Sequence, residues 1–240
     1  FYLSLHNIRC HLFYYSYKYN YLNLYKISIY LFNMTKEILV IKREKLFKEG
    51  TFHGFISLKE KDFSSIIAKE YEYQLRDEKL ENNAYFKQII PYIIIVNPKT
   101  KKIFGYKRFK KMEGLHEMRL HDKFSFGLGG HIDKEETSKD IIQTSMMREL
   151  NEEVKMTNYP IPKVIGFLND DTNQVGSVHF ALVVIAETEE SVEKRENDEV
   201  RDEKFYSIEE IDKMIEDPSS NIETWTKLSW NAVKEYLENV

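Results

Sequence analysis

The 240-residue chain has a single cysteine, Cys10, which excludes a disulfide framework and a cysteine-built zinc site and fits a reducing, cytoplasmic setting. It has no excess of basic charge either. With a net charge of −4 and a pI near 6.0, it lacks the dense positive surface that grips nucleic-acid phosphates, so no stable nucleic acid partner is expected. Nowhere does an apolar run approach the roughly 20 residues of a membrane-spanning helix, and no membrane partner is expected. No internal repeat or low-complexity linker breaks the chain after Met34. What is present, 42% hydrophobic and 31% charged residues, is enough for one sizeable core and does not demand two.

The first 33 residues stand apart. They contain no acidic residue, eight of the sixteen tyrosines, and only Arg9, Lys18 and Lys26 as fixed charges. Subtracting these three positive charges leaves the remainder at −4 − 3 = −7. A secretory signal would need a basic start, an apolar run of about 7–15 residues and a small-residue cleavage site, and none is visible. Residues 1–33 are therefore expected to be an extension outside a single folded unit spanning 34–240, an aromatic membrane-surface arm being the alternative.

From Met34 the patterns alternate. "EILVIK" suits a strand; "DFSSIIAKEYEYQL" has helical spacing, with Ile66, Ile67, Tyr71 and Leu75 on one side and Asp62 or Ser64 as cap. "QIIPYIIIVN", the turn "PKTKK" and "IFGYKRF" read as a hairpin whose first strand is buried on both faces and central to a sheet. "KVIGFLND" and "SVHFALVVIAE" are further strands. The tail reads as an amphipathic helix with Trp225, Leu228, Ala232, Val233, Tyr236 and Leu237 as its apolar stripe. The class is α/β (α+β): a mixed sheet covered by helices.

Chemistry concentrates in "GGHIDKEETSKDIIQTSMMRELNEEVKM", residues 129–156. On a helix advancing 100° per residue, Glu149, Glu152 and Glu153 project to one side, and each like-charged pair costs an isolated helix about 0.2–0.5 kcal/mol. Either that face is simply solvated or a cation sits before it. Gly129 and Gly130, just upstream, let the backbone come close, so a carbonyl beside the carboxylates would complete an oxygen-only donor set for a hard ion such as Mg²⁺, with Mn²⁺ as alternative. Arg148 could brace the loop through an upstream carboxylate or reach a phosphate.

These residues resemble the Nudix hydrolase family, whose pattern is Gly, five residues, Glu, seven residues, Arg-Glu-apolar-X-Glu-Glu-X-Gly-apolar. Gly130, "HIDKE", Glu136, Arg148-Glu149-Leu150-Asn151-Glu152-Glu153-Val154 and Met156 fill nearly every slot. Two departures stand out: eleven residues separate Glu136 from Arg148, which either lengthens the loop or adds a helical turn, and Lys155 replaces the closing glycine. Glu136, Glu135 and Asp133 are all candidates to brace Arg148. "EILVIKREKLFKEGTFHGF", "FSFGLGGHID", "NDDTNQVGSVHFALVV" and "ETWTK" extend the likeness over about residues 34–240, to a bacterial-type subgroup with Gly-X-Gly-Gly-His in place of Gly-Gly.

The resemblance implies the Nudix fold, a mixed sheet between helices, and cleavage of a pyrophosphate linkage in a nucleoside diphosphate derivative by water attack on phosphorus. Metal would sit on Gly129, Glu149, Glu152 and Glu153. The general base varies in position in this family: Glu152, Glu153 or a carboxylate of "KRENDEVRDEKF" (Glu196, Glu199, Glu203) qualifies, with Glu199 preferred. Lys107 and Arg108 are candidate grips for substrate phosphates, and His131 and His179 read as either core or site residues. Rival readings are a ligand-sensing domain without turnover and an isoprenoid diphosphate isomerase; the latter wants a catalytic cysteine, and Cys10 lies outside the domain. A homodimer is compatible with the sequence.

Overall fold

The computed structural model describes residues 36–108, 122–134, 140–195 and 200–240; the N-terminal extension expected at 1–33 lies outside them. In chain order the elements are β1 (Glu37–Lys42), α1 (Arg43–Leu46), β2 (Gly54–Ser57), α2 (Ser64–Glu70), β3 (Tyr71–Leu75), β4 (Phe86–Asn97), β5 (Lys102–Arg108), β6 (Phe124–Ser125), α3 (Ile141–Glu153), β7 (Val154–Lys155), β8 (Lys163–Asn169), α4 (Gln174–Val178), β9 (His179–Glu187), β10 (Glu193–Lys194), β11 (Val200–Ser207), α5 (Ile208–Glu216) and α6 (Thr224–Glu238). The main sheet runs β11-β5-β4-β9-β8-β2, with β1 joining β4 to β3 and β6 edging β5. β4 and β9 are parallel and the other pairs antiparallel. The mixed sheet expected from the sequence is thus present, with the 86–108 hairpin at its middle.

β4 is central because it is apolar on both faces, and all but its two end residues are buried. With side chains alternating along a strand, Ile89, Ile93 and Ile95 enter one core with Met146 and Leu150 of α3. Tyr92, Ile94 and Val96 enter the other with Ile211 of α5 and Trp230, Val233 and Leu237 of α6. Helices therefore cover both faces.

Two local expectations are corrected. The helix predicted over 62–75 stops at Glu70, and Tyr71–Leu75 instead pairs with β1 from Ile41↔Tyr71 to Glu37↔Leu75. Tyr71 and Leu75, assigned to its apolar side, are exposed; the free edge of β1 outweighed local spacing. Neither Asp62 nor Ser64 is the cap residue: that position falls on Phe63, which makes no side-chain cap bond, while Asp62 one residue earlier accepts the Ser64 amide at 2.8 Å. In α6 the expected stripe packs on the core, with Val233 and Leu237 buried and Trp225, Leu228 and Tyr236 partly buried against it, and Trp230 with Thr226 and Ser229 adds buried residues that the stripe omitted.

β4 also sets the approach to the glycines. β1 covers it at Phe86–Gln88, and Leu128 bridges it at Ile93 through bonds of 2.7 and 2.8 Å. Pro91 lies in the gap, where a residue without an amide hydrogen loses nothing. There Gly129 comes so close that a Cβ on it would stand 2.2 Å from the Pro91 carbonyl oxygen. The chain continues between β4 and β1, with the Leu39 amide donating to Ile132 O at 2.9 Å.

Candidate active site

α3 opens with Asp140, whose side chain accepts the Gln143 amide at 3.0 Å. Seven helical residues, from Ile141, precede Arg148; the rest of the long spacer before Asp140 lies outside the described residues. At the other end Val154 is extended, φ −134° and ψ 158°. No left-handed residue is needed there, which accounts for Lys155 in place of glycine. The chain passes directly into β7, which pairs with β10 as Lys155↔Glu193 and Val154↔Lys194.

Met146 and Leu150 anchor the helix in the core, and on the same side Ser145 and Glu149 are buried. The Glu149 carboxylate fills the space left by the missing side chain of Gly130, where a Cβ would meet Oε1 at 2.4 Å. Burial first, then Glu152 and Glu153, push its pKa up to about 7 against the opposing pull of Arg148. The Arg148 guanidinium donates to Glu149 Oε1 at 2.7 Å and Glu152 Oε2 at 2.9 Å, and also to the His131 carbonyl at 2.7 Å. One cation thus separates two of the crowded glutamates and ties the helix to the glycine loop. The third, Glu153, pairs with Lys194. The crowding of like charge is resolved by cations of the chain itself.

Of the braces considered for Arg148, Asp133 is engaged elsewhere, with Lys36 at 2.9 Å; Glu135 and Glu136 lie outside the described residues, as do Glu196 and Glu199. Glu203 accepts the Lys194 amide at 2.9 Å. Lys107 pairs with Asp122 at 2.7 Å. Arg108 lies over the Tyr106 ring at 5.5 Å, and its buried Nε has no hydrogen-bond partner among the described residues. Tyr106, Glu223 and Glu153 raise its pKa above the ordinary value against the effect of burial.

His131 and His179 face each other, ring centroids 5.5 Å apart, with Trp225 edge-on to His179 at 6.4 Å. His131 Nε2 bonds Gln88 Oε1 at 2.6 Å, and His179 Nδ1 donates to Val175 O at 2.7 Å. Burial holds both below the usual histidine pKa, His131 far below. Lys194 on Glu153, Tyr106 beneath Arg108 and Lys194, and Gln88 on His131 are neighbours of the candidate residues that sequence reasoning did not single out. A two-residue strand pairing places Lys194, and nothing in "VEKRENDEVRDEKF" marks it out.

Among the described residues no three His, Cys, Asp or Glu side chains gather as a metal cluster. The donor chemistry nonetheless fits a hard divalent ion. Among the described residues Glu152 and Glu153 each meet a protein cation through Oε2 and have side chains 59% and 32% exposed, so both present carboxylate oxygen of the kind a hard ion takes.

A sheet between helices, with an Arg-Glu-X-X-Glu-Glu helix docked on a double-glycine loop, defines a Nudix-fold protein. No protein-family model matches the chain. It is 30% identical over 205 residues to Protein YmaB of Bacillus subtilis (strain 168), covering 81% of this chain and 95% of YmaB. Its structure is similar to that of Tm1382, a candidate Nudix hydrolase, with TM-score 0.66 and 24% identity over 83% of this chain and 99% of Tm1382. The chain belongs to the family of YmaB, and its fold is the Nudix fold. No helix of the described residues is long and apolar enough to cross a membrane.

Proposed function

We propose that the protein is a divalent-metal-dependent hydrolase that cleaves a pyrophosphate linkage in a nucleoside diphosphate derivative by water attack on phosphorus. The observation that carries this reading is the docking of α3 on the glycine loop. Glu149 is 5% exposed against Gly130, and Arg148 spans from Glu149 and Glu152 to the His131 carbonyl. A solvated charged helix has no reason to bury one glutamate beside a glycine and bind its neighbour to a loop carbonyl. Glu152, Glu153 and the Gly129 backbone would hold the ion, Mg²⁺ or Mn²⁺, with Glu149 shaping the cage from behind. When bound, the metal supplies charge neutralisation at the phosphoryl oxygens and a more acidic water.

The chain's own residues supply the rest. Arg148 fixes the spacing between loop and helix. Arg108, whose Nε has no partner among the described residues, is the better phosphate grip, because Lys107 is occupied by Asp122. The proton acceptor is proposed among Glu152, Glu153, Glu196, Glu199 and Glu203, with Glu199 preferred; Glu203 already spends Oε2 on the Lys194 amide. The rival, a domain that binds a nucleotide-like ligand without turnover, draws on one observation: Lys194 already neutralises Glu153.

The test is a screen of the full chain with Mg²⁺ against nucleoside diphosphates, nucleoside triphosphates, sugar nucleotides and dinucleoside polyphosphates, beside Glu152→Gln. Turnover should drop by about 100-fold or more in the variant, the scale of losing one preorganised charge at a reacting centre. Metal-free stability should change by less than about 0.5 kcal/mol, because an exposed i,i+4 pair offsets the repulsion removed. Equal activity in the two proteins would overturn the metal-site assignment. Ligand-induced thermal shifts without product from any substrate would favour the sensor.

A further inference from the structure

We propose that Lys194 is a resident counter-ion that competes with the divalent metal for Glu153, so that loading the site requires its displacement. The inference rests on the metal site proposed above and concerns a residue outside the Arg148–Glu153 motif. Lys194 is the most enclosed cation at the site: its side chain is 4% exposed, against 32% for the Glu153 it contacts and 25% for Arg148. Glu153 is the one hydrogen-bond acceptor of its ammonium among the described residues. The group otherwise lies over the Tyr106 ring, 4.8 Å from the centroid.

Its place is dictated by backbone. Val154↔Lys194 pairing sets the register, the Arg195 amide donates to Glu153 O at 2.9 Å, and the Lys194 amide donates to Glu203 at 2.9 Å. The extended exit of α3 that replaces a glycine cap thus also brings an ammonium onto the last glutamate of the motif. A divalent ion on Glu153 would face that ammonium across a few ångströms of partly desolvated space, where like charges repel strongly. Ammonium and metal therefore exclude one another, and the Tyr106 face offers the displaced ammonium a secondary resting place.

Mn²⁺ binding to the full-length protein, followed by the electron paramagnetic resonance of free Mn²⁺, tests this with Lys194→Met and a control, Lys155→Met. The control removes the same charge from the paired strand at an exposed position. Lys194→Met should tighten Mn²⁺ by about tenfold, the ratio equivalent to about 1.4 kcal/mol, and Lys155→Met by less than about twofold because solvent and salt screen it. Unchanged or weaker binding in Lys194→Met, or an equal gain in the control, overturns the proposal. Should Lys194→Met not fold, amine-reactive labelling of the unmodified protein decides: Mn²⁺ should raise modification at Lys194, and unchanged labelling at saturating Mn²⁺ overturns the inference. If neither the natural protein nor Lys194→Met binds Mn²⁺, the metal site itself falls. If the natural protein binds Mn²⁺, Glu152→Gln loses it and Lys194→Met behaves as natural, only the role of Lys194 falls.

Discussion

Two clusters of charge lie on this fold, and they are built differently. Beside the start of β4, Lys87 is wholly buried and its three ammonium hydrogens are taken by Asp171 Oδ1 at 2.8 Å, Gly176 O at 2.8 Å and His179 O at 3.1 Å. Arg43 grips both oxygens of Asp171, and Asn169 adds a bond at 3.0 Å. Every charge there is paired inside the protein, although the buried Asn169 Oδ1 has no partner among the described residues. At the carboxylate helix one arginine serves two acids, Glu152 is 59% exposed, and Arg108 Nε is buried without a partner among the described residues. The closed cluster pins the turn between β8 and β9; at the open one carboxylate charge stays exposed and shares its cations. Exposed and shared charge, more than charge density, separates the two.

Breaking the closed cluster should give the largest loss of stability. Asp171→Ala leaves Lys87 buried with two carbonyl acceptors and only the weaker pull of Asp170 as counter-charge, so unfolding in urea should show a loss of about 3 kcal/mol, the lower end for a broken buried pair because Asp171 is partly exposed and Asp170 remains. The folded fraction should keep its metal affinity. A loss below about 1 kcal/mol would mean that Lys87 carries less uncompensated charge than its burial implies.

The two loop glycines sharpen the contrast within the open site. A methyl at Gly129 meets the Pro91 backbone oxygen at 2.2 Å, whereas one at Gly130 meets the end of the Glu149 side chain. Backbone cannot step aside and a carboxylate can. Gly129→Ala should cost about 2–3 kcal/mol and Gly130→Ala about 1 kcal/mol. In a Glu149→Ala background the Gly130→Ala penalty should vanish while that of Gly129→Ala persists, a coupling that denaturant melts of the three single and two double variants measure. Equal penalties in both backgrounds would show that Glu149 does not fill the space above Gly130.

Most of the frame was readable from residue order. The doubly buried run "QIIPYIIIV", the hairpin after it and the two-faced core follow from a period of two, and "RELNEE" announced its helix and the neighbours it crowds. Two kinds of feature stayed hidden. Tyr71–Leu75 has helical spacing and became a strand because β1 offered an open edge, a demand made by a partner 30 residues away. Lys194 is one of several charged residues in its segment, and only the pairing of β10 with β7 sets it against Glu153. Period is a local property; which cation meets which acid depends on register between distant segments.

The smallest effect tests how far the closed cluster resists its own burial. Burial pushes the Lys87 pKa down to about 8 from its ordinary 10.5, and Asp171 opposes the shift. Burial also raises Asp171, but the bonds from Arg43, Lys87 and Asn169 outweigh it and hold that carboxyl well below its usual range. Asp171 therefore stays ionised across neutral and alkaline pH, and Lys87 alone titrates. Between pH 8 and 10.5 the folded chain has released the Lys87 proton while the unfolded chain retains it, so the unfolded state binds more protons and stability must rise with pH. Other lysines and tyrosines also respond in that range, and Lys87→Met, which keeps the shape and removes the titration, cancels them by difference. The stability of the natural protein minus that of Lys87→Met should therefore climb by about 1–2 kcal/mol from pH 7.5 to 9.5. A flat difference would mean that the two carbonyls and Asp171 hold the ammonium charged in spite of burial. The closed cluster would then be an ion pair at full strength, and its loss in Asp171→Ala should approach the upper end, about 5 kcal/mol, of what broken buried pairs cost.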